Sequence, residues 1–144
     1  MPEQNYKNHH RYVPLYHFIL FGVLVLTLIG SCVNLYQSWG DHTRLYSASL
    51  ITVLTACTLI LFFFARIFAL KAQDRAIRAE ENFRHYLLTS KPLDGRLTIF
   101  QIIALRFAPD AEFVALAKRA ADESMAPDAI KQAIKNWRGD YYRA

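Results

Sequence analysis

Two long runs without Asp, Glu, Lys or Arg dominate the first half of the chain. The first covers residues 15–37 and the second covers residues 45–65. A helix rises about 1.5 Å per residue, so roughly 20 apolar residues cross a hydrocarbon layer of about 30 Å. A surface helix of a soluble protein keeps a polar face, and neither run has one. The pattern predicts two transmembrane helices and three regions: a tail at 1–14, a membrane hairpin at 15–70 and a cytoplasmic domain at 71–144.

The connection between the two runs, residues 38–44, is short and turn-like, so we expect antiparallel neighbouring helices. Small residues let helices approach closely in lipid. Ala48, Thr52 and Ala56 recur every fourth residue in the second helix, and Gly22 and Gly30, with Thr27, Ser31 and Asn34 nearby, give the first helix a similar surface. We expect these two faces to pack. The alternative, a solute path along Ser and Thr side chains, requires an oligomer because two helices enclose no pore.

The second helix is predicted to run on to about residue 88, since neither Gly nor Pro interrupts it. An apolar stripe follows one face of this extension, and that face requires a partner, either the rest of the tail or another copy of the helix. The stripe consists of Ala72, Ala76, Ala79, Phe83 and Leu87. Opposite charges four residues apart add about 0.3 kcal/mol per pair; they are Asp74 with Arg78, Glu80 with Arg84, and Glu81 with His85.

Three short helices are predicted after the break at residues 91–95. Thr98 and Gln101 have the spacing of a capping box at the start of the first. Pro109-Asp110 ends it and caps the second, and Pro127 starts the last. Apolar residues then recur at helical spacing through Ile130, Ile134, Trp137 and Tyr141. The fold class is therefore all-α: a transmembrane helical hairpin, a second helix extended into the cytoplasm, and a small bundle of three short helices.

The positions of Lys and Arg predict the orientation, because basic residues near the ends of spans stay in the cytoplasm. The connection carries Arg44 alone, whereas the N-terminal tail carries Lys7 and Arg11 and four basic residues follow the second span. Both termini are therefore predicted to be cytoplasmic. Anionic lipids attract such side chains. The candidate contacts with lipid or with a partner are Arg66, Lys71, Lys131, Lys135, Trp137 and Arg138.

The two cysteines lie inside the predicted spans at different depths, so we expect no disulfide between them. Cys32 permits another interpretation of the first span. Basic residues, an apolar run and Ile29-Gly30-Ser31 before Cys32 loosely resemble a lipoprotein signal peptide. The apolar run continues past Cys32 and a second span follows, which favours an uncleaved helix.

Several segments spread over nearly the whole chain form a recognisable set. They are Tyr6-Lys7-Asn8-His9, Arg11-Tyr12-Val13-Pro14, Gln73-Asp74-Arg75, Ile77-Arg78, Glu80-Glu81, Leu97-Thr98, Gln101, Ile103-Ala104-Leu105-Arg106-Phe107-Ala108, Ile134-Lys135-Asn136-Trp137-Arg138 and Asp140-Tyr141. With these segments the chain resembles a family of uncharacterised bacterial membrane proteins with two spans and a cytoplasmic helical tail. The resemblance implies a bacterial inner membrane and this topology, and it supplies no catalytic or cofactor residue.

Residues with catalytic or metal-binding chemistry are present without the required spacing. His9, His10 and His17 have no Cys or carboxylate at ligand spacing, and both cysteines lie in the spans away from any activating base. We expect no enzyme activity, metal, cofactor or small-molecule substrate. The segment 71–144 has 13 basic and 10 acidic residues; this small excess does not favour nucleic-acid binding.

The pattern as a whole favours a noncatalytic membrane protein that is an accessory subunit of a larger membrane complex or a self-associating helical scaffold. The predicted partners are the lipid bilayer and either further copies of the chain or other subunits. Two features support this interpretation: the apolar stripe on the extension of the second helix, and a terminal domain too small to form a stable hydrophobic core of its own. A small oligomeric transport or channel component is the alternative.

Overall fold

The computed structural model describes residues 4–8 and 12–141. All regular secondary structure in these ranges is helical, as predicted. Helix α1 consists of a π-helical segment, Leu15–Leu20, and an α-helical segment, Phe21–Gln37. The remaining helices are α2 (His42–Thr89), α3 (Ile99–Leu105), α4 (Asp110–Asp122) and α5 (Pro127–Ala133).

Helices α1 and α2 are both long and apolar enough to cross a membrane. The bounds of α1 agree with the first charge-free run. Helix α2 contains the second run and is 48 residues long in all, ending at Thr89, which confirms the predicted extension. The connection between them includes Gly40, whose φ of 98° lies in the left-handed region that favours glycine. Asp41 then caps α2, because its Oδ1 accepts the backbone N–H groups of Thr43 (3.1 Å) and Arg44 (3.2 Å).

The first two helices pack as antiparallel neighbours. Near the connection, the Thr52 hydroxyl donates to the Ser31 carbonyl oxygen at 3.1 Å. Near the other end, the Tyr16 ring stacks on Phe62 with 4.2 Å between ring centroids, and its hydroxyl donates to the Phe62 carbonyl. A residue near the start of α1 therefore contacts a later position of α2, and a residue near the end of α1 contacts an earlier one. This order defines an antiparallel pair, so the predicted helical hairpin is present.

The chain forms two compact units. Residues 11–68 form one, and residues 69–144 together with residues 1–10 form the other. The boundary falls inside α2, and residues 4–8 belong to the same unit as the terminal helices. In the second unit, the Gln4 side chain donates to the Asp140 carbonyl oxygen (3.0 Å) and accepts from the Asp140 N–H (2.8 Å).

The terminal helices α3, α4 and α5 enclose a small apolar core. Phe107, Phe113, Leu105 and Ile130 are its largest fully buried side chains. The predicted capping box is present at the start of α3: Thr98 accepts the N–H of Gln101, and the Gln101 side chain accepts the N–H of Thr98. Phe113, Ala117 and Ala120 of α4 face this core, as their spacing predicts.

One expectation about the terminal helices, the extent of the last one, is wrong. The last helix ends at Ala133, and residues 134–141 form no helix, so Trp137 and Tyr141 do not lie on it. The Glu112 carboxylate accepts backbone N–H groups of this segment, which gives them a tertiary partner in place of a helical carbonyl. At the start of α4, Pro109 is the cap residue and Asp110 the first helical residue.

Candidate functional site

The predicted packing face of α2 is used within the hairpin. Ala48 is 1% exposed, and Thr52 and Ala56 are half-buried. The two glycines do not take part, because a Cβ added at Gly22 or Gly30 meets no atom within 4 Å. The contact with α2 is made by Ser31, which belongs to the same predicted face of α1. Ser31 is the buried residue of the α1 helical segment, and its carbonyl oxygen accepts the hydrogen bond from Thr52.

Eight Ser and Thr hydroxyl groups between residues 27 and 58 donate to backbone carbonyls. Most bond within their own helix, three or four residues back, as Ser and Thr commonly do in apolar helices. Thr52 bridges to α1 as well. The hydroxyls with such bonds are Thr27, Ser31, Ser38, Ser47, Ser49, Thr52, Thr55 and Thr58.

Arg84 is the centre of the polar contacts that fix α2 to the terminal helices. Its guanidinium bonds to Glu81 at 2.9 Å, to Asp110 at 2.6 Å and to the Ala108 carbonyl oxygen at 2.7 Å. Its central carbon lies 4.3 Å from the centroid of the Phe113 ring. Glu81 is only 5% exposed, and a buried carboxylate needs such a cationic partner. Helical spacing alone predicted Glu80 as the partner of Arg84, which is wrong.

A second arginine, Arg106, lies beside this cluster and is 8% exposed. Its Nη1 is 3.2 Å from Asp140, and its guanidinium covers the Phe107 ring at 4.7 Å. Arg106 and Asp140 border a pocket of about 560 Å³ that Glu80, Glu81 and Arg138 also line. Since its charged side chains are of both signs, the pocket selects neither an anion nor a cation.

The candidate lipid-contact residues fall into two groups. Arg66, Lys71, Lys135 and Arg138 keep accessible side chains, although Arg66 is half-buried and Arg138 lies 3.9 Å from Glu81. Lys131 is paired with Asp128 at 3.3 Å, with 17% of its side chain exposed.

Trp137 packs against Phe107 with 4.9 Å between ring centroids and joins the core. Arg138 donates its backbone N–H to the Phe107 carbonyl oxygen at 2.7 Å. These contacts make the segment after α5 part of the core and give Trp137 a structural role there, whereas its contact with lipid or a partner stays a prediction.

The apolar stripe on the extension of α2 is uncovered in the described structure. Phe83 is 64% and Leu87 is 67% exposed, and the three alanines are exposed as well. The terminal helices contact the other side of α2, where Ile77 and Glu81 are buried. Of the two partners that the sequence allowed for the stripe, the rest of the tail is therefore excluded within residues 4–8 and 12–141.

Two carboxylates hold loop segments against α4. Glu112 accepts the backbone N–H groups of Lys135 (2.9 Å) and Asn136 (3.1 Å), and these bonds hold its pKa below the usual 4.5. Asp94 binds Arg96 through both oxygens, which lowers the pKa of Asp94 to about 2. Arg96 also reaches Asp122 at 2.8 Å, and both carboxylates raise its pKa.

Removal of the Glu112 carboxylate is expected to release residues 134–141. An E112A variant loses three hydrogen bonds to a charged acceptor near the surface, and we expect it to lose about 1–2 kcal/mol of stability. The folded pKa of Glu112 is lowered, so its contribution is present above the usual value and is lost as the pH falls through the lowered pKa. Hydrogen exchange of this segment against pH measures both effects.

Glu123 provides the matched control for that experiment. Its side chain is 61% exposed and lies 3.8 Å from Arg119, so E123A should change stability by less than about 0.5 kcal/mol. Equal exchange of residues 134–141 in the two variants would contradict the anchoring role of Glu112.

The described residues contain no group of three or more His, Cys, Asp or Glu side chains able to hold a metal ion. His17 lies on α1 with its Nδ1 3.0 Å from the Val13 carbonyl oxygen. His9 and His10 lie outside the described residues. Cys32 and Cys57 are exposed and form no disulfide.

Comparison with known proteins places the chain in a family without assigning an activity. No curated protein and no solved structure matches it. A family model does match, over residues 1–144, and its description is a family of unknown function. The match extends over the same length as the resemblance found in the sequence. The chain therefore belongs to DUF6526, a family of unknown function.

Proposed function

We propose that this protein is a noncatalytic, two-span protein of a bacterial inner membrane that acts as a self-associating scaffold or an accessory subunit. The observation that carries the proposal is the exposure of the apolar helices. In the most apolar windows of α1 and α2, only 6% and 11% of the residues are buried. Side chains such as Leu26 (70% exposed) and Leu54 (68%) need an apolar environment, and the hydrocarbon layer provides it.

The orientation proposed is that of both termini in the cytoplasm. An even number of spans returns the chain to its starting side, and basic residues concentrate at the two terminal regions. The pair of hydrogen bonds between Gln4 and Asp140 supports this orientation, because residues so far apart in sequence then lie on one side of the membrane.

The contacts of α1 with α2 support a membrane helix over a cleaved lipoprotein signal. Cleavage before Cys32 would remove Tyr16 and Ser31, and with them the ring stack on Phe62 and the bond to Thr52. We therefore expect the purified protein to retain its full mass of 16.6 kDa without an added lipid.

The proposed location and orientation are tested together. The chain should stay with the membrane fraction through alkaline washing and require detergent for extraction. A reporter that fluoresces only in the cytoplasm should be fluorescent when it is fused to either terminus. A reporter that is active only in the periplasm should be active when it is inserted in the connection at residues 38–41. A protein that dissolves without detergent, or termini on opposite sides, would contradict the proposal.

A transport or channel role has less support from the structure. A solute path through an oligomer needs polar groups that point away from the helix backbone, whereas the hydroxyls described above donate to backbone carbonyls. We expect liposomes that contain the purified protein to show no flux above that of empty liposomes.

A further inference from the structure

Four residues of the exposed stripe on α2, together with Tyr86 next to its last residue Leu87, have the spacing of a coiled-coil seam. This seam consists of Ala72, Ala76, Ala79, Phe83 and Tyr86, which follow one another at alternating steps of four and three residues, the steps between the two core positions of a heptad. All five are exposed, with Phe83 at 64% and Tyr86 at 54%. The face therefore combines an alanine section, where two backbones approach closely, with two large apolar side chains at its end.

The terminal helices contact α2 mainly beside this seam, and of the seam residues Ala76 borders the pocket that Arg106 and Asp140 also line. Asn82 and His85 contact the terminal part as well. The residues of α2 that are buried beneath the terminal helices or form ion pairs with them are Ile77, Glu81 and Arg84. With Ala76 and Ala79 at the core positions, these three fall on the opposite side of the helix. Each terminal domain would therefore lie on the outside of a pair of α2 helices and would not obstruct it.

Charges beside the seam favour a second copy in parallel orientation. Arg75 directly precedes the core residue Ala76, and Glu80 directly follows the core residue Ala79. In a parallel pair of helices, the Arg75 of each copy therefore faces the Glu80 of the other. Neither forms an ion pair with another described residue. An antiparallel pair would lose this match, since equivalent flanking positions would then face each other.

We propose that a second copy of this chain covers the seam, with the two α2 helices parallel and in register across residues 72–86. This inference rests on the proposed function: two copies inserted with the same orientation present the seam at the same distance from the membrane. The membrane then aligns the helices and raises their effective concentration, which compensates for the small area that alanines bury.

Cysteine cross-linking in membranes tests the pairing. In a C32A/C57A background, A79C and A76C should form disulfide-linked dimers under mild oxidation. R78C, an exposed position on the other side of the helix, should yield at least fivefold less dimer and is the matched control. Equal yields at all three positions, or none at A76C and A79C, would overturn the proposal. A cross-linked product with a different protein would also overturn it.

Orientation and charge are tested with two further measurements. When A72C and F83C chains carrying different tags are expressed together, each should link to its own kind and not to the other, because the two positions lie about 16 Å apart along the helix. R75E should lower the dimer yield about threefold, and R75E/E80R should restore it. Efficient A72C–F83C linkage, or no rescue by the double variant, would overturn the parallel arrangement.

The outcome separates this inference from the proposed function. Chains that remain in the membrane fraction with both termini cytoplasmic but fail to cross-link would overturn the seam and leave the membrane proposal standing. Chains found in the soluble fraction would overturn the membrane proposal itself, and with it the reason for parallel alignment.

Discussion

Replacement of Leu26 by aspartate is expected to prevent stable insertion of α1. Leu26 is 70% exposed near the middle of the helix, so in a membrane its side chain faces lipid. Leucine at the centre of a span contributes about −0.5 kcal/mol to insertion and aspartate costs about 3 kcal/mol. The difference lowers the insertion equilibrium by more than about a hundredfold. The measurement is the fraction of L26D that resists alkaline washing of membranes.

Phe100 provides the matched control for L26D. It is 64% exposed on α3 and lies outside the two apolar helices. F100D therefore changes the same kind of exposed apolar residue without placing a charge in the proposed span. Its membrane fraction should equal that of the wild type. Equal behaviour of L26D and F100D would contradict the assignment of α1 to the hydrocarbon layer.

An F113A variant is expected to unfold the terminal domain. Phe113 is 0% exposed and also contacts the Arg84 guanidinium. Truncation of a buried phenylalanine typically costs about 3–5 kcal/mol, which is a large part of the stability of a small core. Limited proteolysis of the protein in membranes, followed through fragments cut after residue 89, measures the loss.

The control for F113A is F100A. Truncation of the exposed Phe100 removes a ring of the same size from the same domain, and we expect a change of less than about 0.5 kcal/mol. If both variants are cleaved at the same rate, Phe113 does not hold the core together.

The local elements of this fold are encoded in short stretches of sequence. The two charge-free runs predict α1 and the first part of α2, and the absence of Gly and Pro predicts the extension to Thr89. The capping box at Thr98 and the inward spacing of Phe113, Ala117 and Ala120 are equally local. Each of these features depends on hydrogen bonds and burial within about one or two helical turns, so neighbouring residues suffice to predict it.

The candidate site was predicted less well, because its contacts join distant residues. Arg84 has two acidic neighbours at helical spacing, Glu80 and Glu81. Exposed ion pairs at these two spacings stabilise a helix by amounts that differ by only a few tenths of a kcal/mol. Burial of Glu81 and the approach of Asp110, 26 residues away, decide the choice. No pattern along the chain predicts that approach.

By itself, the sequence determined the helices, their antiparallel order in the hairpin and the apolar face of the α2 extension. Only the tertiary structure decided that this face stays uncovered, that Gly22 and Gly30 make no close contact, and that α5 ends at Ala133 with Trp137 packed on Phe107. The reason is physical. Helical periodicity fixes which side chains share a face, whereas the occupant of that face depends on which of several apolar surfaces the chain buries against it.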